Sequence, residues 1–306
     1  MTYRSDDLLT EVLSSYRLSA RVFAHASYCG HWEINTAGRH KATFHLIGRG
    51  TCWLQRHEGE TVIPLQAGDL VVFPHDAWHL LTACPRPTET IGYPQSDQGP
   101  ATTVMCGYFD FGEQGRNPIL ESLPEVIIVR AEQTARYAKL EQLARLILME
   151  ADSEQIGSQL VLDTLAAALF VMILRFQLEN STDRHGLLAA LADPQLAKAL
   201  AAAHRAPGNA WTVEALAAVA GLSRTTFAIR FTELVGESPM QYLNAVRMRR
   251  ANELLQNPRC SVAMIAEAVG YHTEAAFRRA YKRHYGIGPG AARRAHSLDS
   301  FSSESA

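Results

Sequence analysis

Hydrogen-bonding side chains are concentrated on two short segments near the end of the chain. The first segment combines hydroxyl and guanidinium groups with small apolar side chains, namely Ser223, Arg224, Thr225, Thr226, Ala228, Ile229 and Arg230. The second segment is more basic and contains Thr273, Glu274, Ala275, Arg278, Arg279 and Lys282. Side chains of these types bind the phosphates and base edges of duplex DNA, provided that one helix presents them on one face.

The sequence around these side chains repeats one pattern twice. The two copies are Ala217-x3-Gly221-x-Ser223-x3-Phe227-x3-Phe231-x4-Gly236-x2-Pro239 and Ala266-x3-Gly270-x2-Thr273-x3-Phe277-x3-Tyr281-x4-Gly286-x2-Pro289. Each copy predicts a helix, a glycine turn and a second helix that begins at a hydroxyl cap and buries an aromatic stripe. This is a helix-turn-helix, at about 213–234 and again at about 262–284, and two of them indicate binding of duplex DNA.

A helix is predicted between the two copies, from Pro239 to about Gln256. The residues 238–241 have the form of a capping box with proline at the first helical position, and Asn257-Pro258 ends the helix. At about 1.5 Å per residue, about 18 residues give a length of about 27 Å. That length could place the two second helices in consecutive major grooves, which are about 34–36 Å apart. The alternative is a compact helical bundle with no role in DNA binding.

Residues 211–289 resemble the DNA-binding domain of the AraC/XylS family of transcription regulators. The match rests on Leu216-Ala217, Gly221-Leu222-Ser223, Phe231, Gly236, Ser238-Pro239, Tyr242, Arg247, Ala251, Leu254-Leu255, Ile265-Ala266, Val269-Gly270-Tyr271, Phe277, Gly286 and Pro289. Tyr281 and Gly288 depart from the usual family residues. The resemblance implies that the second helix of each copy enters the major groove and that RNA polymerase is a further partner. Because Thr225, Ala228 and Ile229 suit thymine methyl groups better than guanine edges, we expect base specificity to depend more on the second copy.

The charge is divided between the two halves of the 306-residue chain. Residues 1–192 contain 15 Lys and Arg against 22 Asp and Glu, a net charge of −7, whereas residues 193–294 contain 14 against 7, a net charge of +7. This division is consistent with phosphate binding by the basic part. The five cysteines are widely spaced, and the N-terminus lacks an apolar signal segment. These features predict a cytoplasmic protein with reduced thiols.

Residues 20–112 alternate between short apolar strands and turns. The predicted strands are Ala42–Leu46, Thr51–Gln55, Glu60–Pro64, Leu70–Phe73, Leu80–Ala83 and Thr103–Phe109, and Asp97–Pro100 is predicted to lie in an exposed loop. The segment from Gly68 to His79 resembles the second signature of the cupin barrel, with Asp76 in place of a glycine, and residues 44–50 resemble the end of the first. We therefore expect a cupin-like β-barrel in residues 1–115 that senses an effector.

Histidines of this predicted barrel are the candidates for effector or metal binding. His79 matches the last histidine of the second cupin signature, and His45 has the inward parity of its strand. The His-x-His of the first signature is absent, and Thr43 occupies its carboxylate position. We expect an effector pocket that contains His45, His75 and His79, and no cofactor. A zinc site formed by His45 and His79, with His75 or His40, stays open as an alternative.

A thiol-based response to oxidants is a further alternative. Cys106 lies on a late predicted strand and Cys29 near the first, so that the two could meet in the barrel and form a disulfide. The sequence places no group beside either thiol that would lower its pKa. Buried cysteine acting as a small apolar residue is the simpler interpretation.

Two helices are predicted after the barrel, in residues 132–150 and 155–180. The first has one apolar stripe, formed by Leu140, Leu143, Ala144, Ile147 and Leu148. The second is apolar on most sides and must be buried on several of them. Its longest apolar stretch, Leu165–Leu174, is too short to span a bilayer. The family resemblance implies that residues 116–192 form a helical linker that makes a homodimer, and packing against the barrel of the same chain is the alternative.

The sequence as a whole predicts an α+β multidomain protein. A cupin-like barrel (residues 1–115) and a helical linker (116–192) precede an all-α DNA-binding domain with two helix-turn-helix motifs (193–294), and a disordered tail follows (295–306). We expect an effector-responsive, sequence-specific transcription regulator without catalytic activity. Its partners would be double-stranded DNA, a small-molecule effector and a second copy of the chain. A metal-dependent cupin enzyme fused to a DNA-binding domain is the competing hypothesis.

Overall fold

The chain forms two compact units. A computed structural model describes residues 8–57, 62–85, 101–112, 117–131, 138–153, 155–180 and 185–295. The β unit comprises Arg17–Arg184, and the helical unit comprises Met1–Tyr16 together with His185–Ala306. The predicted loop Asp97–Pro100 and all but the first residue of the predicted tail lie outside the described residues.

Two antiparallel sheets form the described part of the β unit. The strands are β1 (Ser19–Tyr28), β2 (Glu33–Ile34), β3 (Ala42–Arg49), β4 (Thr51–Gln55), β5 (Ile63–Gln66), β6 (Leu70–Phe73), β7 (Leu80–Thr82), β8 (Thr102–Asp110) and β9 (Ile127–Val129). One sheet has the order β1-β8-β3-β6-β9 and the other the order β2-β7-β4-β5. Five of the six predicted strands agree with β3, β4, β6, β7 and β8. Of the sixth predicted strand, Glu60–Pro64, residues 60–61 lie outside the described residues, and β5 runs from Ile63 to Gln66, which pairs with Thr51.

The larger sheet continues beyond residue 115, where the barrel was predicted to end. Val129 of β9 pairs with Leu70 of β6. The helices α2 (Pro118–Glu121), α3 (Ala138–Ala151) and α4 (Ser158–Asn180) also belong to the β unit. Helix α4 packs against β1 and β8 of its own chain, which is the alternative that the sequence left open. The region 116–184 is therefore part of the β unit and not a separate linker.

Side-chain alternation in β3 separates an inner from an outer face of the larger sheet. Ile47 lies in the core cluster between the two sheets, together with Val104 and Cys106. On the outer face, the ring of Phe109 stacks on Phe44 and contacts Phe170 of α4, with 4.8 Å between ring centroids in both pairs. A Cβ atom at Gly107 would lie 2.3 Å from the Phe44 ring. Only glycine at this position leaves room for the aromatic contact with α4.

Helix α4 is long and apolar enough to cross a membrane by length and composition alone, and 39% of its most apolar window is buried in the protein. The buried core helix of a protein that has no membrane span passes the same test. Its contacts with β1 and β8 are those of such a core helix.

Eight helices form the described part of the helical unit. They are α1 (Leu8–Ser14), α5 (Gly186–Ala192), α6 (Leu196–Arg205), α7 (Val213–Ala220), α8 (Arg224–Val235), α9 (Pro239–Leu254), α10 (Val262–Ala268) and α11 (Glu274–Tyr285). The predicted caps of α8 and α11 are present, since Ser223 and Thr273 each accept a backbone N–H of the following turn. Thr212 and Ser261 cap α7 and α10 in the same way. Gly221 adopts the left-handed conformation (φ 68°) that ends α7. The predicted capping box joins Ser238 and Gln241 at the start of α9.

Helix α1 was not predicted from the sequence, and it packs against α6 in the helical unit. Glu11 forms an ion pair with Arg205 (2.5 Å), and the guanidinium of Arg249 lies 4.5 Å from the centre of the Tyr16 ring. The first described residues of the chain therefore belong to the unit that contains both helix-turn-helix motifs.

Candidate DNA-binding helices and a buried polar cluster

Helix α8 presents short side chains to solvent. Phe227, Phe231 and Val235 are buried, whereas Leu234 is half-buried. The side chains on the opposite side are Thr225, Thr226, Ala228 and Ile229, of which Ala228 is half-buried. Ile229 is 54% exposed. The Ser223 hydroxyl accepts the N–H of Thr226 (3.2 Å), so that its role in the structure is the cap of the helix.

The two arginines of α8 are both held by carboxylates of the same unit. Arg224 pairs with Glu214 of α7 at 2.5 Å, with both side chains largely exposed. Arg230 forms an ion pair with Asp193 and donates to Gln195 Oε1 at 2.9 Å. Arg230 was predicted to contact DNA, but these bonds anchor α8 to the segment between α5 and α6.

Helix α11 presents long cationic side chains to solvent. Phe277, Ala280 and Tyr281 are buried, whereas Ala275, Arg278, Arg279 and Lys282 are exposed. Arg278 donates from Nε to Glu274 Oε1 at 2.6 Å, one turn earlier on the same helix. Nη2 of Arg278 also lies 2.6 Å from Glu274 Oε1, so that this pair orients Arg278 without removing it from the surface.

Helix α9 contacts both helix-turn-helix units. Tyr242 of α9 meets the ring of Phe231 edge-on at 5.6 Å between centroids. Tyr281 of α11 donates to Asn252 Oδ1 at 2.7 Å. Arg247 donates to the carbonyl oxygens of Pro207 and Asn209, both at 2.8 Å. Arg247 belongs to the family pattern found in the sequence. Only the structure shows that its guanidinium holds residues 207–209 by two hydrogen bonds.

A second polar group of α9 is buried beside His204. The Tyr242 hydroxyl lies 2.7 Å from His204 Nε2. Burial, with the nearby Arg249 charge, lowers the pKa of His204 to about 3. His204 is therefore neutral at physiological pH. No local sequence pattern predicts this pair, because His204 comes from α6 and Tyr242 from α9.

In the β unit, two predicted site residues meet in a buried polar cluster. His45 Nε2 and His79 Nε2 are 2.9 Å apart, and the Thr36 hydroxyl lies 3.2 Å from the first and 2.9 Å from the second. Cys106 Sγ lies 3.1 Å from His45 Nδ1. All four side chains are at most 5% exposed, and the His79 ring stacks on Phe73 with 3.7 Å between centroids. Neither Thr36 nor the Cys106–His45 contact was predicted.

The protons of the cluster can be assigned from its acceptors. The Ala77 carbonyl can only accept, so that His79 Nδ1 carries the hydrogen of their 2.8 Å bond and His79 Nε2 is an acceptor in the neutral ring. Burial lowers the pKa of both histidines, with the neighbouring His79 lowering that of His45 further. Burial raises the pKa of Cys106 to about 12, so that its thiol can donate to His45 Nδ1. The cluster is then an uncharged chain of hydrogen bonds from Cys106 to Ala77.

The remaining predicted sensor residues do not join this cluster. His75 donates from Nε2 to the Leu123 carbonyl oxygen at 2.9 Å. His40 is exposed, and its backbone N–H donates to Asp76 at 2.6 Å. No group of three or more His, Cys, Asp or Glu side chains able to hold a metal occurs in the described part of the chain. The zinc set with His75 or His40 is therefore not assembled among the described residues, and the effector pocket that includes His75 stays a prediction.

Cys29 and Cys106 lie too far apart for the predicted disulfide. Cys106 pairs with Ala24 of β1, and Cys29 follows Tyr28, the last residue of that strand. Five residues of strand span about 16 Å, whereas a disulfide requires Cα atoms within about 7 Å. Cys29 is exposed and Cys106 is buried, so that the two thiols also differ in their access to solvent.

We expect iodoacetamide at pH 8 to alkylate Cys29 of the native protein and to leave Cys106 and Cys52 unmodified. Burial raises the pKa of both latter thiols to about 12, and the thiolate is the reactive form. Mass spectrometry of tryptic peptides measures the labelling, and the urea-unfolded protein is the control in which all three should react. Native Cys106 reacting as fast as Cys29 would contradict this assignment.

Comparisons with known proteins agree with both units. A family model described as a cupin matches residues 7–179, and one described as a helix-turn-helix domain matches residues 216–295. An AraC-like transcription regulator of Streptomyces lividans is 31% identical over 296 residues, which are 93% of this chain and 96% of the relative. An HTH-type transcriptional regulator of Haemophilus influenzae is 30% identical over 305 residues, 95% of this chain and 100% of the relative.

Among solved structures, the DNA-binding domain of AdpA, crystallised with a target DNA, is 34% identical to this chain. The alignment covers 35% of this chain and 96% of that domain, with a TM-score of 0.33. On the evidence of the two full-length relatives and the two family models, the chain belongs to the AraC-like transcription regulators, with a cupin domain followed by a helix-turn-helix DNA-binding domain.

Proposed function

We propose that this transcription regulator contacts DNA through the exposed faces of α8 and α11 and responds to a small polar ligand bound in its cupin domain. The protein binds DNA as a member of its family, and the proposal concerns which residues do so. The observation that carries the proposed DNA contacts is the row of exposed cations on α11, Arg278, Arg279 and Lys282, opposite a buried aromatic stripe. A helix with this division can enter a major groove while its other face stays in the core.

We expect the double substitution Arg278→Ala and Arg279→Ala to weaken binding to a selected operator by roughly ten- to a hundredfold at fixed salt. The exposed side chains contribute little to folding, so that the circular dichroism spectrum should not change. The matched control is Arg250→Ala, an exposed arginine of α9 that pairs with Glu253. Fluorescence anisotropy measures the affinity. Equal affinities for the double variant and the wild type would refute the placement of α11 in the groove.

The buried polar cluster of the β unit supports a role in ligand sensing. Polar groups in a protein core are tolerated only when they are hydrogen-bonded, and apolar side chains of similar size stabilise a core at least as well. Thr43, which lies on the same face of β3 as His45, is fully buried, and its hydroxyl has no hydrogen-bond partner among the described residues. A ligand hydroxyl or carbonyl group that reached this region would satisfy Thr43 and exchange bonds with the two histidines.

We expect replacement of both His45 and His79 by leucine to abolish the response to ligand while DNA binding is retained. A library of small polar metabolites is screened by thermal shift, since a ligand that binds only the folded protein raises its melting temperature. The control is His25→Leu, a histidine of β1 that lies 3.7 Å from the exposed Asp152, outside the cluster. A compound that stabilises the wild type, the control and the double variant equally binds elsewhere, and that result would rule out the cluster as the sensor.

The tip of the α3–α4 hairpin supports homodimerisation. Five large apolar side chains are exposed there, Leu146, Met149, Ile156, Leu160 and Val161, with exposed fractions between 43% and 108%. Apolar side chains grouped in this way mark an interaction surface more often than a free surface. A second copy of the same hairpin is the proposed partner, because a two-fold axis through the tip would bring the same apolar residues together.

We expect Leu160→Asp to convert a dimer into a monomer, since a carboxylate would be buried against its own symmetry mate. Sedimentation velocity measures the association state. The control is Val219→Asp, an exposed apolar position on α7 of the helical unit. If the wild type is a monomer at micromolar concentration, or if Leu160→Asp stays dimeric, the hairpin does not form the dimer contact.

A further inference from the structure

Helices α8 and α11, the proposed DNA-contacting helices, share the same length, a hydroxyl cap and a buried aromatic pair. They differ in side-chain chemistry at every outward position. Both helices are 12 residues long and begin after a hydroxyl cap, Ser223 or Thr273. Their two buried aromatic rings lie 5.6 Å apart in α8 and 5.7 Å apart in α11. Counting from the cap, the outward pairs are Arg224 with Glu274, Thr225 with Ala275, Ala228 with Arg278, Ile229 with Arg279, Thr232 with Lys282 and Glu233 with Arg283.

On α8, the positions that correspond to Arg278 and Arg279 of α11 carry no long donor. They hold Ala228 and Ile229, and Thr225 lies on the same side of the helix. Arg224 and Arg230 lie at other positions, where they pair with Glu214 and Asp193. In the major groove, the apolar group that a base offers is the C5-methyl group of thymine. The exposed sec-butyl side chain of Ile229 would therefore pack on a thymine methyl group, and that contact identifies an A·T pair.

On α11, the same positions carry guanidinium groups. Arg279 occupies the position of Ile229, is exposed, and has no ion-pair partner among the described residues. Arg278 is oriented by Glu274 through its Nε and Nη2 atoms. Arginine donates two hydrogen bonds to the O6 and N7 acceptors of guanine, which is the commonest specific contact in the major groove.

We infer that the operator of this protein consists of two chemically different halves. Helix α8 selects A·T pairs by contact of Ile229 and Ala228 with thymine methyl groups, and α11 selects guanine through Arg278 and Arg279. The operator is therefore not a direct repeat of one half-site, although the protein contains two copies of one motif. This assignment rests on the proposed placement of α8 and α11 in the groove.

The experiment uses the full-length protein and base analogues that each remove one group. A binding site is first selected from a random duplex library, and each half is then substituted with deoxyuridine for thymidine, which removes the C5-methyl group, or with 7-deazaguanine for guanine, which removes N7. We expect deoxyuridine in the α8 half to weaken wild-type binding about fourfold for each contacted methyl group. We expect 7-deazaguanine in the other half to weaken it roughly tenfold or more.

Variants assign each effect to a helix. In Ile229→Ala the deoxyuridine effect should shrink toward none while the 7-deazaguanine effect persists, and in Arg279→Ala the reverse should hold. Met264→Ala, at an exposed position of α10, is the control that should retain both effects. Selection of two identical half-sites, or an undiminished deoxyuridine effect in Ile229→Ala, would overturn the assignment of bases.

The two proposals fail in different ways. If the double substitution Arg278→Ala and Arg279→Ala leaves the affinity for every duplex unchanged, then the placement of α11 in the groove is wrong, and the base assignment falls with it. If that substitution weakens binding but Ile229→Ala responds to deoxyuridine as the wild type does, then the placement stands and only the thymine assignment is refuted.

Discussion

DNA binding by this protein depends on the packing of both helix-turn-helix units against one helix, α9. The first part of α9 contributes Tyr242 to the core that holds α8, and its last part contributes Met248 and Ala251 to the core that holds α10 and α11. A helix of 16 residues spans about 24 Å. Because neither half of α9 can move without disturbing a packed core, α8 and α11 keep a constant separation. Their proposed entry into two consecutive grooves requires such a separation.

The core of the cupin domain is apolar and contains one buried polar cluster. Its sheets enclose Ile47, Val71 and Val104, among other aliphatic residues, and burial of such side chains supplies most of the stability. Thr36, His45, His79 and Cys106 come from four segments that are distant in sequence, and all four side chains are buried. Since burial keeps both imidazoles and the thiol uncharged, a change in the hydrogen bonds of the cluster would exchange tautomers and would not add charge. This property suits a site that recognises a neutral polar group.

The path of the chain connects the cupin domain to the DNA-binding unit at two points. Helix α1 packs on α6, the chain then passes through the β unit from Arg17 to Arg184, and it returns at His185. The first connection is short, because only Arg17 and Leu18 separate Tyr16 from β1.

The sequence by itself determined the two helix-turn-helix motifs, the capped α9 and most of the β strands, because these depend on local signals. Caps, left-handed glycines and residue alternation act within a few residues. Ser223 caps α8, Gly221 ends α7 and β3 forms as these local patterns predict. Only the tertiary structure decided that Arg230 is anchored to Asp193, that α4 packs on its own barrel, that His75 bonds to Leu123 and that Cys106 meets His45 and not Cys29. Each of these outcomes depends on contacts between segments far apart in sequence, and no local pattern specifies which of two chemically suitable partners the fold will bring within reach.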